Sequence, residues 1–146
     1  MRSLLICLMI GAGFCIAIQG PINFRLRLAV ESPLLSSATS FLSGGLILIC
    51  LTAALGGGTG FKGMQTAPAW AFLGGILGIG YVLGNILSIP RLGAVTTICS
   101  AILGQMIGSC LVDTFGWFGV TKLPLSLARL AGIVFLIAGV IFVQKR

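Results

Sequence analysis

The sequence predicts an all-α integral membrane protein, with five transmembrane helices in a single domain over residues 1–146. Two observations carry that prediction. Of the 146 residues, 58% are hydrophobic and only 8% charged, with a mean hydropathy of +1.18, whereas ordinary soluble domains carry roughly 25% charged residues. The apolar residues also fall into five runs of about 20 residues each, the length that crosses a bilayer's hydrocarbon core.

The N-terminus, which holds most of the first run at 3–23, reads MRSLLICLMIGAGFCIAIQG. It has the positive start and apolar stretch of a signal peptide, but lacks a small-x-small cleavage site and continues into Gln19 and Asn23. It is therefore expected as a retained helix. FRLRLAVESP, with Arg25, Arg27, Glu31 and Pro33, is expected to part it from the second helix at 33–55. GGGTGFKG, with Lys62, reads as a flexible turn before the third at 68–89. Pro90 and Arg91 in IPRLG mark the break before the fourth at 92–112. DTFGWFGVTKLP, with Asp113, Lys122 and Pro124, leads to the fifth at 126–143. Trp70 and Trp117, near helix ends, read as interfacial anchors. The loops are too short for a soluble domain, so the function is expected within the membrane.

Composition excludes several functions. The formal charge of +7 would raise nucleic acid as a partner in a soluble protein, but here the positive residues stand singly at the ends of apolar runs, and no nucleic-acid binding is expected. Cys7, Cys15, Cys50, Cys99 and Cys110 lie inside apolar runs without CxxC spacing, and there is no histidine to complete a metal site. They read as small buried hydrophobes, with no metal or cofactor expected. Lack of histidine also removes the usual general base. The two carboxylates, Glu31 and Asp113, fall at opposite faces of the predicted bundle. No enzyme is expected.

Glycine spacing suggests where helices approach closely. Gly74 and Gly78, Gly80 and Gly84, and Gly104 and Gly108 are i, i+4 pairs, with Ala128 and Gly132 a weaker case. The third and fourth helices are thus expected as the tightly packed centre. Positive charges barely distinguish the two membrane faces: Arg2, Lys62, Lys122 and Arg129 on one, and Arg25, Arg27, Arg91, Lys145 and Arg146 on the other. Either something else fixes topology or the chain inserts both ways, and dual insertion is the favoured expectation. An antiparallel homodimer would then hold ten helices related by inversion, the internal symmetry of many secondary transporters.

Polar side chains inside spanning helices are costly and tend to face a bundle interior or water-filled cavity. They come here at helical spacing: Gln19 and Asn23, Tyr81 and Asn85, Gln105 and Ser109. Ser36, Thr39, Ser40 and Ser43 add a more ambiguous stripe on the second helix, since hydroxyls readily bond their own backbone. The amides and hydroxyls serve either as interhelical glue or as a solute site. Asp113 lies about 12 Å along its helix from Gln105, too far for one compact site within a chain. An inverted partner would bring its Asp113 to the level of the amides. The alternative for Asp113 is a solvated carboxylate, or one paired with Lys122 or Arg129.

Several segments carry a family resemblance: IQGPINFRLRLAVESPLLSSATSFLSGG, PAWAFLGGILGIGYV, IPRLGAVTTICSAILGQMIGSCLVDTFGWFG and LPLSLARLAGIVFLIAGV. Together they resemble the short YdcZ-type proteins of the drug/metabolite transporter superfamily over nearly the whole chain. The most specific parts are Gln19 with Asn23, the PRLG turn at Arg91, Gly104 with Gln105, Asp113 to Gly116, and the run from Pro124 to Gly132. The resemblance implies a bacterial inner-membrane location, dual or paired topology, and export of small molecules. Small multidrug relatives place a carboxylate deep in the first helix; this chain has Gln19 and Asn23 there, which do not titrate, so that proton-coupled mechanism does not carry over.

The expected function is secondary-active transport of a small organic solute, by alternating access across an inverted homodimer in contact with lipid. Gln19, Asn23, Tyr81, Asn85, Gln105, Ser109 and Asp113 are the expected substrate-binding residues. The alternative is a non-transporting accessory or assembly protein in which the polar pairs only hold helices together.

Overall fold

The computed structural model describes residues 2–55, 60 and 63–145, and the structural statements that follow concern those residues. The turn expected around Lys62 lies outside them. Five helices long and apolar enough to span a membrane are present: α1 (Arg2–Val30), α2 (Pro33–Ala54), α3 (Leu73–Leu92, preceded by a 3₁₀ turn at Ala69–Phe72), α4 (Ala94–Phe115) and α5 (Leu127–Gln144). There is no strand among the described residues.

The helix count agrees with the sequence, but three boundaries move. α1 runs to Val30 instead of ending at residue 23, because Phe-Arg-Leu-Arg-Leu-Ala-Val contains no residue that breaks a helix. Arginine charge stops a membrane span, not a helix. At 29 residues α1 is about 43 Å long, well beyond the ~30 Å core, so its arginine end reaches water. It stops at Glu31, whose φ of 54° is left-handed. Ser32 then caps α2 by accepting from Leu35 N–H at 3.2 Å, with Pro33 at the first helical position. α3 absorbs Pro90 and Arg91 into its last turn, and the break falls at Gly93, whose φ of 79° suits glycine. α4 continues through Asp113 to Phe115 and closes on Gly116, in the left-handed conformation with its N–H on Val112 O.

Pro90 sharpens an otherwise hidden detail. It has no N–H to give to the carbonyl four residues back, that of fully buried Ile86. The Arg27 guanidinium donates to that same carbonyl, Nη1 to O 3.4 Å, from the extended end of α1. A residue expected in a loop therefore replaces a hydrogen bond that proline removed from another helix.

Contacts divide the chain into two compact units, Met1–Ile89 and Pro90–Arg146. In the first, α1 pairs with α2 and α3 crosses α1 at Gly20. A Cβ on Gly20 would lie 2.8 Å from Ile89 Cδ1 and 3.5 Å from Asn85 Oδ1, so only glycine allows that approach without displacing Ile89. In the second, α4 and α5 form an antiparallel hairpin.

Two packing expectations are corrected. The glycine pairs on α3 and α4 are not closely packed within the chain: a Cβ on Gly74, Gly80, Gly84, Gly104 or Gly108 meets no described atom within 4 Å, and only Gly78 approaches a neighbour, Phe41 at 3.3 Å. Nor are the cysteines uniformly buried. Cys7, Cys15 and Cys50 are exposed, Cys99 is half-buried and Cys110 is buried. A thiol facing lipid sacrifices no hydration, so burial inside protein is not required of it.

Candidate functional site

The sequence-predicted residues separate into three groups. The first is assembled: Gln19 and Asn23 on α1 line a groove of about 470 Å³ together with Thr39, Ser40 and Ser43 on α2, walled by Phe14, Ile18 and Leu26. This is where the i, i+4 spacing of the two amides leads. The α2 hydroxyls face them because the α1–α2 turn at Glu31–Ser32 brings the two helices side by side. Thr39 donates to Leu35 O at 2.9 Å and Ser43 to Ser40 O at 3.0 Å, so their protons are held by their own helix and their lone pairs remain as acceptors. Ser36 differs from its neighbours in the stripe. Fully buried, it donates across to Asn23 O at 2.7 Å and fixes the register of α1 against α2.

The second group stands behind that groove. Asn85 is 5% exposed, and its Nδ2 donates to Tyr81 O at 2.9 Å. Its Oδ1 is buried without a hydrogen-bond partner among the described residues, against Gly20, which sits between Gln19 and Asn23 on α1. An unpaired buried amide oxygen costs about 1–3 kcal/mol, which marks this position as one where polarity is kept at a cost in stability. Tyr81 is half-buried one turn earlier.

The third group lies in the other unit. Gln105 and Ser109 are exposed on one face of α4. Asp113 is half-buried in the last turn of α4, with Oδ2 3.1 Å from Arg129 Nη1, a close ion pair without good hydrogen-bond alignment. Each charge sits at the unfavourable end of its own helix dipole, Asp113 at the C-terminus of α4 and Arg129 in the first turn of α5. Because the helices are antiparallel, each also lies beside the favourable end of the other. Asp113 O further accepts from Leu123 N–H at 2.8 Å, and Ser126 caps α5 by accepting from Arg129 N–H at 3.3 Å. Of the alternatives open in the sequence, Asp113 takes the pairing with Arg129. Phe115 and Trp117 stack beside it with ring centroids 5.2 Å apart.

Sequence reasoning did not single out Gly20, Arg27 or the Pro90–Ile86 relation. The signal for the last was present: a proline inside an apolar helix predicts an unserved carbonyl four residues earlier, and hence a donor elsewhere.

Comparison with known proteins agrees with this architecture. The family model described as "Putative inner membrane exporter, YdcZ" matches residues 4–142. "Inner membrane protein YdcZ" of Escherichia coli (strain K12) is 25% identical over 146 residues, which cover 99% of this chain and 97% of that protein. No solved structure matches. With five apolar helices of spanning length, this is a multi-pass protein of the inner membrane, and exporters are a non-enzyme class. On a match that takes in nearly every residue of the chain, it belongs to the YdcZ family of inner-membrane proteins.

Proposed function

We propose that the chain is one protomer of a secondary-active exporter, and that it moves a small organic solute by alternating access between two inverted copies. The observation that carries this reading is the α1–α2 groove. About 470 Å³ in volume, it is lined by two amides and three hydroxyls and contains no charged side chain. That volume falls within the ~300–1,000 Å³ usual for small-molecule sites. Amides donate and accept, so the lining suits neutral or zwitterionic solutes as well as cations.

The groove is open on one side and does not enclose a solute within one chain. A second copy in inverted orientation would close it, in the manner of inverted-repeat transporters with sites near the midplane. The near-even split of positive charge between the two faces favours such pairing. In this arrangement the partner's open α4 face, with its Gln105 and Ser109, supplies the opposite wall, and its Asp113 lies at the mouth. Membership of the drug/metabolite transporter superfamily belongs to the same proposal.

The test is flux in proteoliposomes holding the purified chain, against a panel of labelled neutral, zwitterionic and cationic solutes. The expected result is saturable movement of at least one solute, lowered about tenfold or more by Gln19→Ala or Asn23→Ala, the loss typical of removing a hydrogen bond that a buried solute requires. Absence of flux for every solute, or flux indifferent to both substitutions, would favour an accessory role.

A further inference from the structure

At one end of the second unit, residues from three helices surround a cleft of about 350 Å³ lined by Arg91, Leu92, Thr96 and Gln144. Arg91 closes α3, Thr96 lies in the first turn of α4, and Gln144 is the last residue of α5. The start of α4 is uncapped by any side chain, and its first backbone bond runs from Thr97 N–H to Gly93 O at 3.2 Å. The N–H groups of Ala94, Val95 and Thr96 are therefore left without helical acceptors, and they carry the positive end of a 22-residue helix dipole.

A second, independent feature points into the same cleft. Thr97 spends its hydroxyl on Gly93 O at 2.8 Å, and Ser100 spends its own on Thr96 O at 2.8 Å. The Thr96 hydroxyl has no hydrogen bond to any described residue; Thr96 as a whole is 6% exposed, and it lines the cleft. Its hydroxyl is therefore available to a ligand held there. The charge agrees: neither Arg91 nor Lys145, which follows Gln144, forms an ion pair among the described residues. The one acidic side chain among the unit's described residues, Asp113, is 17 residues further along α4 from Thr96, about 25 Å away.

We infer that this cleft binds a phosphate group. Its oxygens accept from the free N–H groups of α4 and from the Thr96 hydroxyl, Arg91 supplies a forked charged donor, and Gln144 adds a neutral one. Donors converging from three helices match the several acceptor oxygens of a phosphate better than the two of a carboxylate. The cleft sits where apolar helices end, at headgroup level, so the phosphate belongs either to an anionic lipid or to a free phosphate in the adjoining water.

The experiment uses the full chain in neutral detergent and follows its thermal midpoint against added phosphatidylglycerol, phosphatidylcholine, or sodium phosphate with sodium chloride at equal ionic strength. Phosphatidylglycerol is expected to raise the midpoint more than phosphatidylcholine. Its half-saturating concentration should rise about tenfold in Arg91→Gln and several-fold in Thr96→Val, the scale of losing one hydrogen bond to a charged group. It should rise less in Arg91→Lys, which keeps the charge but not the fork, than in Arg91→Gln, and stay near wild type in the control Arg25→Gln. A variant-sensitive response to inorganic phosphate but not to phosphatidylglycerol would keep the site and assign it free phosphate. No response of the wild-type chain to either, or equal responses from wild type, Arg91→Gln and Thr96→Val, would overturn it. Should Arg91→Gln fail to fold, Thr96→Val, which keeps charge and shape, decides alone.

Discussion

The two units of the chain differ in where they leave polar side chains open. In the first, polarity is turned inward: Asn23, Ser36 and Asn85 are buried, and Gln19 looks into a groove whose far wall is hydroxyl-bearing. In the second, Thr96 and Thr97 are buried at the start of α4, charge is balanced by charge near the α4–α5 connection, and the polar face of α4 at Gln105 and Ser109 stays open. The first unit thus has a largely built polar groove, and the second an open polar face. The proposed two-copy transporter needs such a division, with each groove closed by the other copy's open face.

The contrast can be broken most severely at Gly20. Gly20→Leu pushes α3 off α1, because even a Cβ there already meets Ile89. A loss of about 2 kcal/mol is expected from overpacking, seen as a lowered thermal midpoint in detergent. Gly132→Leu, on α5 where a Cβ meets nothing, should leave that midpoint near wild type.

Next in size is the Arg27 bond to Ile86 O. Arg27→Met should cost about 1.5 kcal/mol by leaving a buried carbonyl unserved. Pro90→Ala, by restoring an N–H to that carbonyl, should recover about 1 kcal/mol in the Arg27→Met background and much less in wild type. Additive effects of the two substitutions would show that Arg27 acts elsewhere.

Smaller still is the pair in the second unit. Both partners are about a third exposed, so Asp113→Asn should cost about 0.5 kcal/mol, within the range of partly solvated pairs. The effect should shrink as salt is raised. Smallest is Gln105→Leu, expected to leave the isolated chain's stability within about 0.5 kcal/mol, as for an exposed position, while weakening self-association measured by sedimentation in detergent.

Much of the fold was legible because the bilayer imposes a length on apolar runs, and five runs became five helices. The misplaced boundaries share one cause. Arg25, Arg27, Arg91 and Asp113 mark where hydrocarbon ends, and they were read as marks of where helix ends; the three helices concerned end instead at residues of positive φ, Glu31, Gly93 and Gly116. The groove was half legible. Spacing alone puts Gln19 and Asn23 on one face, but choosing α2 as the facing helix required the tight turn at Glu31–Ser32. The glycine pairs were misread as a tightly packed centre, since spacing alone does not say whether another helix meets them.

The central claim, a solute groove closed by an inverted copy, is tested most directly by cross-linking in the membrane. In a cysteine-free background, Gln19→Cys and Asp113→Cys are placed on separately tagged copies and co-expressed. The account predicts a disulfide-linked dimer between residue 19 of one copy and residue 113 of the other. Cross-links only between like positions, or no dimer at all, would contradict it.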